Sequence, residues 1–243
     1  MPLRIQSPPM ALSPDVLESA KRLDPSAIAQ LFAAHFIPVH RIAFGLAGRS
    51  DHGRNIADFV FKKSLDVIPR WDPAAEPEHW FHRYTIQLAR HYAIARPAIK
   101  NDLLVTTARE PDLVYIAFIT ALRHLSDQQQ EAFLLHFGER FNIRDVARAM
   151  DCSTTAATTH LAAAEAQMRL VSGENFDALA ARFAETYTRL APDASVVVPN
   201  INKLLRRHVW PRRILRFALR LLLLTLLAAI VCAGWWIYHH VQF

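Results

Sequence analysis

Few side chains in this 243-residue chain are placed to transform a substrate. Its twelve histidines are scattered. The closest groupings, His79 with His82 in "HWFH" and the pair His239 and His240, have no Cys or carboxylate at ligand spacing. Cys152 and Cys232 stand alone, one amid polar residues and one in an apolar run, and offer neither a disulfide framework nor a metal site. Gly-rich phosphate loops, Ser-x-x-Lys, His-Glu-x-x-His and paired-carboxylate patterns do not occur. No enzyme, resident metal or cofactor is expected. What remains is hydrogen bonding. "DCSTTAATTH", Asp151 to His160, sets five hydroxyls and an imidazole within ten residues of a stretch, Phe141 to Arg169, that has the cadence of a helix-turn-helix. Hydroxyls and a neutral imidazole can bond to phosphates and base edges, but they add no long-range attraction.

Helices must position these groups. Ile28, Leu31, Phe32, Phe36, Val39, Ile42, Ala43 and Leu46 recur every three or four residues, with Pro38 expected to kink or interrupt their helix. Ile56, Phe59, Val60, Leu65 and Ile68 repeat the pattern, and "EHWFHRYTIQLARHYAIA" makes a third helix after the breaker-rich "DPAAEPE". Residues 97–112 read as a linker with a strand-like "LLVTT"; 113–170 are helical in short pieces, and "ENFDALAARFAETYTRLA" adds an amphipathic helix. Six glycines and no sustained alternation make the class all-α. The expected segments are a flexible arm over 1–25, a helical domain over 26–96, the linker, a helix-turn-helix domain over 113–170, an amphipathic helix and basic linker over 171–213, and a transmembrane helix over 214–240.

The formal charge of +6 resembles a nucleic-acid-seeking protein until it is located. Seven of the 28 bases follow Asp193, where no acid occurs, so 21 bases face all 22 acids in residues 1–193. The soluble part is electrostatically neutral. "LLLLTLLAAIVCAGWWIY", Leu221 to Tyr238, is uncharged over 18 residues, roughly 27 Å of helix, and Phe217 to Leu219 extend it toward the ~30 Å hydrocarbon layer. Trp235, Trp236 and Tyr238 suit the far headgroup boundary, and "RRHVWPRRILRFALR" forms a cationic collar at the near end. That asymmetry predicts a single pass in the inner membrane with the N-terminal part cytoplasmic, and a collar attracted to anionic headgroups.

Two segments together resemble the extracytoplasmic-function sigma factors, the small bacterial subunits that direct RNA polymerase to promoters. In Leu31 to Arg90 the shared frame is an apolar helix ending near "LAGRSD", a helix ending "FVFKKSLDVIPRWDP" and the aromatic "HWFHR" helix, similar to the family's second conserved region. Leu122 to Arg169 is similar to the fourth, with its Leu-x-x-Leu opening, the "QEAFLL" helix, the positioning helix "IRDVARAM" and the turn "DCS". The resemblance implies a region 2-like helical bundle and a region 4-like helix-turn-helix. Its implied partners are core RNA polymerase, promoter DNA and an anti-sigma or other regulatory protein.

Carried over residue by residue, the resemblance places polymerase contacts at Arg54, Asn55, Asp58, Phe59 and Lys62. It places DNA contacts at Trp80, Arg83 and Gln87 in the first block and at Ser153, Thr154, Thr155, Thr158, Thr159, His160 and Arg169 in the second. Departures are physical. The family's acidic run before the Phe survives here only in Asp58, with Arg54 reversing one charge. Its basic recognition helix has become Thr158, His160, Ala163 and Glu165, and Leu122 to Arg169 holds five bases against six acids. Ser153 suits an N-cap better than a nucleophile. A membrane-anchored sigma-like regulator is one expectation; a diverged sigma-like scaffold that binds another protein at the membrane is the other.

Overall fold

The computed structural model describes residues 13–72, 76–91 and 98–240, and these are all-α. Twelve α-helices follow in order: α1 (Pro14–Lys21), α2 (Pro25–Ala47), α3 (Ser50–Val67), α4 (Pro77–His91), α5 (Leu103–Thr106), α6 (Leu113–His124), α7 (Asp127–Phe133), α8 (Ile143–Met150), α9 (Thr154–Ser172), α10 (Phe176–Thr188), α11 (Ala194–Leu204) and α12 (Trp210–His240). Single turns of 3-10 or π geometry join several of them, and a π turn over Leu134–Gly138 extends α7.

Three apolar clusters organise the body. Leu31, Phe32, Phe36, Val60, Phe61 and Phe81 of α2, α3 and α4 form the first. Phe118, Leu122, Phe133, Ala164, Met168, Phe183 and Tyr187 of α6, α7, α9 and α10 form the second. The third bridges them, setting Ile42 of α2 and Ile86 of α4 against Ala132, Leu135, Val146, Ala147, Met150 and Leu161. The helical blocks inferred from the sequence therefore pack face to face.

Four local expectations change. The arm expected over 1–25 carries α1 in its second half, with Leu17 and Ala20 buried in the first cluster; residues 1–12 lie outside those described. Pro38 does not interrupt α2, which runs unbroken for 23 residues. A proline inside a helix removes one backbone donor, and burial of Phe36, Val39 and His40 around it holds the helix together. "LLVTT" is a helical turn, not a strand: the Asp102 side chain accepts from the Leu104 N–H at 2.9 Å and starts α5. Finally, "ASVVVPNINKL" is helix α11 despite Pro199, with Val197, Ile201 and Leu204 seated in the first cluster.

Helix α12 leaves the body. Phe217–Trp236 is 20 residues long with a mean hydropathy of 2.3 and no burial against the rest of the chain. Helix α2 is also long and apolar enough to span a bilayer, but most of it is buried in the core.

Candidate nucleic-acid interface

Capping and local packing build the helix-turn-helix. The Asn142 side chain accepts from the backbone of Arg144 and Asp145 at 3.0 Å each and opens α8. Asp151 closes α8 in the left-handed region, at φ 57° and ψ 48°, a conformation that short polar side chains tolerate better than most. One turn later the Ser153 hydroxyl accepts from the Ala156 N–H at 3.1 Å, the N-cap expected from its position. Val146, Met150, Ala157 and Leu161 bury the inner faces of α8 and α9 in the bridging cluster.

The outer face of α9 is open. Thr154, Thr155, Thr158 and Thr159 are exposed and His160 is half-buried. Two of these hydroxyls are already engaged, since Thr158 donates to the Thr154 carbonyl at 2.9 Å and Thr159 to that of Thr155 at 3.0 Å. Their remaining capacity is as acceptors. At the far end the Arg169 guanidinium lies 4.0 Å over the Phe176 ring and reaches Asp177 at 3.4 Å. Arg140, just before the motif, and Arg144, in the first turn of α8, are exposed cations with no ion pair among the described residues.

Residues 115–168 match the family described as sigma-70, region 4. This segment is a sigma-70 region 4 domain. No curated protein matches the chain. The region 4 domain spans α6 to most of α9, and α1–α4 lie outside the match.

Helix α4 lies against the region 4 domain. Arg83 Nη1 reaches Asp151 Oδ1 and Gln87 Nε2 reaches Asp151 Oδ2, each at 3.5 Å, so the turn of the helix-turn-helix faces both side chains. Arg90 donates to Glu131 through Nε at 2.7 Å and to the Met150 carbonyl at 3.2 Å. Arg148 of α8 meets His79 at 3.0 Å. Trp80 is half-buried, stacked on Tyr84 at 4.8 Å between ring centroids. From α2, Arg41 pairs with Glu139 through Nε at 2.7 Å. Tyr187 is fully enclosed near the same carboxylate, and burial pushes its phenol well above the ordinary range. Glu131 is likewise raised by burial, with Arg90 opposing the shift.

On α3, Arg54, Asn55, Asp58 and Lys62 are exposed, and Phe59 is 43% exposed. The Lys62 ammonium sits 5.4 Å from the Phe59 ring centre. Partial desolvation by neighbouring side chains raises the Asp58 carboxyl, although the residue stays exposed, against the pull of Lys203, Arg54, Arg207 and His208. Helix α11 and the π turn after it, Leu205–Val209, thus bring cations toward this carboxyl. Pro199, Asn202, Lys203, Arg206 and Arg207 line an open cleft of about 520 Å³ there.

Sequence reasoning missed Asp102, Arg41, Arg90, Glu131, Glu139 and Asp151 as partners. The only signal was a charge embedded in an apolar pattern, as with Glu131 before "AFLL". Partners 41 and 98 residues apart, for Arg90–Glu131 and Arg41–Glu139, are not written in local spacing. Among the described residues no group of three His, Cys, Asp or Glu side chains is disposed to hold a metal.

Proposed function

We propose that the chain is a membrane-anchored, sigma-factor-like transcription regulator that binds core RNA polymerase and directs initiation. The observation that carries this is the region 4 domain, folded as a capped helix-turn-helix with the outer face of α9 open. A domain of this kind acts by binding and does no chemistry of its own. Two modules do the work, region 2-like over 26–96 and region 4-like over 113–170, joined by 97–112. Arg54, Asn55, Asp58, Phe59 and Lys62 meet the polymerase. Trp80, Arg83 and Gln87 meet promoter DNA from the first module; Ser153, Thr154, Thr155, Thr158, Thr159, His160 and Arg169 meet it from the second. Residues 214–240 cross the inner membrane once, through Leu221–Tyr238, with the modules in the cytoplasm and 171–213 as the basic approach. The length, hydropathy and exposure of Phe217–Trp236 support the span. An anti-sigma or other regulatory protein is a further partner.

A second reading has an observation of its own. The α9 face carries hydroxyls where phosphate neutralisation calls for cations, which favours a diverged scaffold that binds a protein at the membrane and reads no promoter. One experiment separates the two. The full chain in detergent is mixed with core RNA polymerase, and association and promoter-dependent transcript are both scored. Polymerase binding with a transcript supports initiation. Absence of polymerase binding removes it, and binding without a transcript favours the scaffold.

A further inference from the structure

Sequence order puts Arg206 and Arg207 in the cationic collar before the apolar tail, but packing makes them part of the folded body. Helix α11 starts where the Asp193 side chain accepts from the Ser195 N–H at 2.8 Å. Val197, Ile201 and Leu204 of α11, with Leu205 and Val209 of the π turn after it, are seated in the first apolar cluster. Spacing by three and four residues turns Pro199, Asn202, Lys203, Arg206 and Arg207 the other way, and all five are exposed. They line the open cleft of about 520 Å³, and none of them is acidic. The side chains of Lys203, Arg206 and Arg207 make no hydrogen bond or ion pair among the described residues. Asp58 lies within electrostatic reach of Lys203 and Arg207 but pairs with neither.

Two ordinary accounts of such cations fail. Bases often compensate the carbonyl end of a helix. Here the backbone stays helical from Ala194 through the π turn into α12, so no helix ends at the cleft. Bases beside a span often meet lipid headgroups. With the span starting at Phe217, Arg207 lies ten residues before it, roughly 15 Å of helix. Helical side chains also lean toward the N-terminus, away from the bilayer, and a headgroup layer is only about 5–7 Å deep on each side. Arg212, Arg213 and Arg216 lie nearer the span and suffice for the collar. Like charges three and four residues apart on one helix repel. Apolar seating of α11 holds these three together, and an anion from outside would relieve them.

We propose that the cleft binds a soluble anion carrying two linked phosphates. Arg206 and Arg207 clamp phosphate oxygens with their guanidinium forks, Lys203 adds a point charge, and the Asn202 amide adds a neutral donor. A single phosphoryl group carries about 1.5–2 negative charges, so three cations are matched by two such groups rather than one. A lipid headgroup offers the same phosphate chemistry, and the test separates the two sources. Polymerase and promoter binding do not enter this inference, so their failure leaves it standing.

The full chain is reconstituted in phosphatidylcholine nanodiscs and titrated calorimetrically with inorganic pyrophosphate at constant ionic strength. Saturable one-to-one binding is expected, about tenfold tighter than for orthophosphate. Lys203→Gln and Arg207→Gln keep the side-chain stems, and each should weaken binding about tenfold. Arg212→Gln with Arg213→Gln removes more charge from the collar, yet should change the affinity less than about twofold, because exposed charges beyond the cleft are screened. Helical content by circular dichroism must match the parent; should one cleft variant lose helix, Arg206→Gln takes its place. In discs containing phosphatidylglycerol the pyrophosphate affinity should hold. A loss that grows with phosphatidylglycerol content, in the parent and the collar variant alike, overturns the soluble source and gives the cleft to a headgroup phosphate. Heats that do not saturate, no preference for pyrophosphate over orthophosphate, or cleft variants that bind like the parent overturn the site itself.

Discussion

Replacing Arg123 with methionine tests how the region 4 domain is fastened to the rest. Its guanidinium is 7% exposed and Asp102 is 1% exposed. Arg123 donates to Asp102 through Nε at 2.8 Å and Nη2 at 3.0 Å, and to the Gly45 carbonyl at 2.8 Å. Methionine keeps the stem and leaves a buried carboxylate with one backbone donor, the Leu104 N–H. Removing one partner of a buried pair costs about 3–5 kcal/mol, against a domain total of about 5–15 kcal/mol. At 2–4 °C per kcal/mol for a chain of this size, the midpoint falls by roughly 10 °C. Asp102→Asn strands the guanidinium instead and should cost nearly as much, although the asparagine oxygen can still cap α5. The combined variant removes both charges, so its loss should be at least about 2 kcal/mol smaller than the sum of the two. The assay is urea or thermal unfolding of the full chain in detergent, followed by circular dichroism. Strict additivity of the two losses would refute the reasoning, because the pair would then contribute nothing as a pair.

Three further outcomes are expected. Burial holds His35 and His40 at a pKa of about 4 and His82 at about 3, and the Nε2 atoms of His35 and His82 have no hydrogen-bond partner among the described residues. A lowered histidine pKa favours the fold at neutral pH, and that contribution is lost as pH falls from about 6.5 toward 4. His82→Phe, which keeps the stack on Phe141, should therefore flatten the decline of unfolding midpoint between pH 6.5 and 4.5. Adding Thr158→Arg and His160→Arg to the α9 face should strengthen duplex binding and steepen its salt dependence by about 0.9 per added phosphate contact; an unchanged slope means that the face does not meet DNA. Truncation after Val209 should release the protein from membranes that retain the full chain under alkaline carbonate extraction.

The all-α class and the registers of the first two helices came from periodicity, because buried faces of helices repeat every 3–4 residues whatever they pack against. The N-cap at Ser153 and the apolar length of α12 were equally local, one a matter of four residues and the other of hydropathy. Pro38 misled for the complementary reason, and the linker expected within 171–213 hid α11 likewise. A proline's effect depends on the packing around its helix, and both helices are seated in the first cluster.

The sequence by itself determined the helices, the region 4 motif, the neutral α9 face and the apolar tail, all properties of contiguous residues. Only tertiary structure decided that Arg83, Gln87 and Arg90 face the acids of region 4, that Arg123 locks Asp102, and that α11 and the π turn after it bring Lys203 and Arg207 toward Asp58. A charge shows in sequence as a residue type, but its partner is fixed by which surfaces exclude water together. In this chain those surfaces are brought together by Ile42 and Ile86, apolar residues that no motif distinguishes.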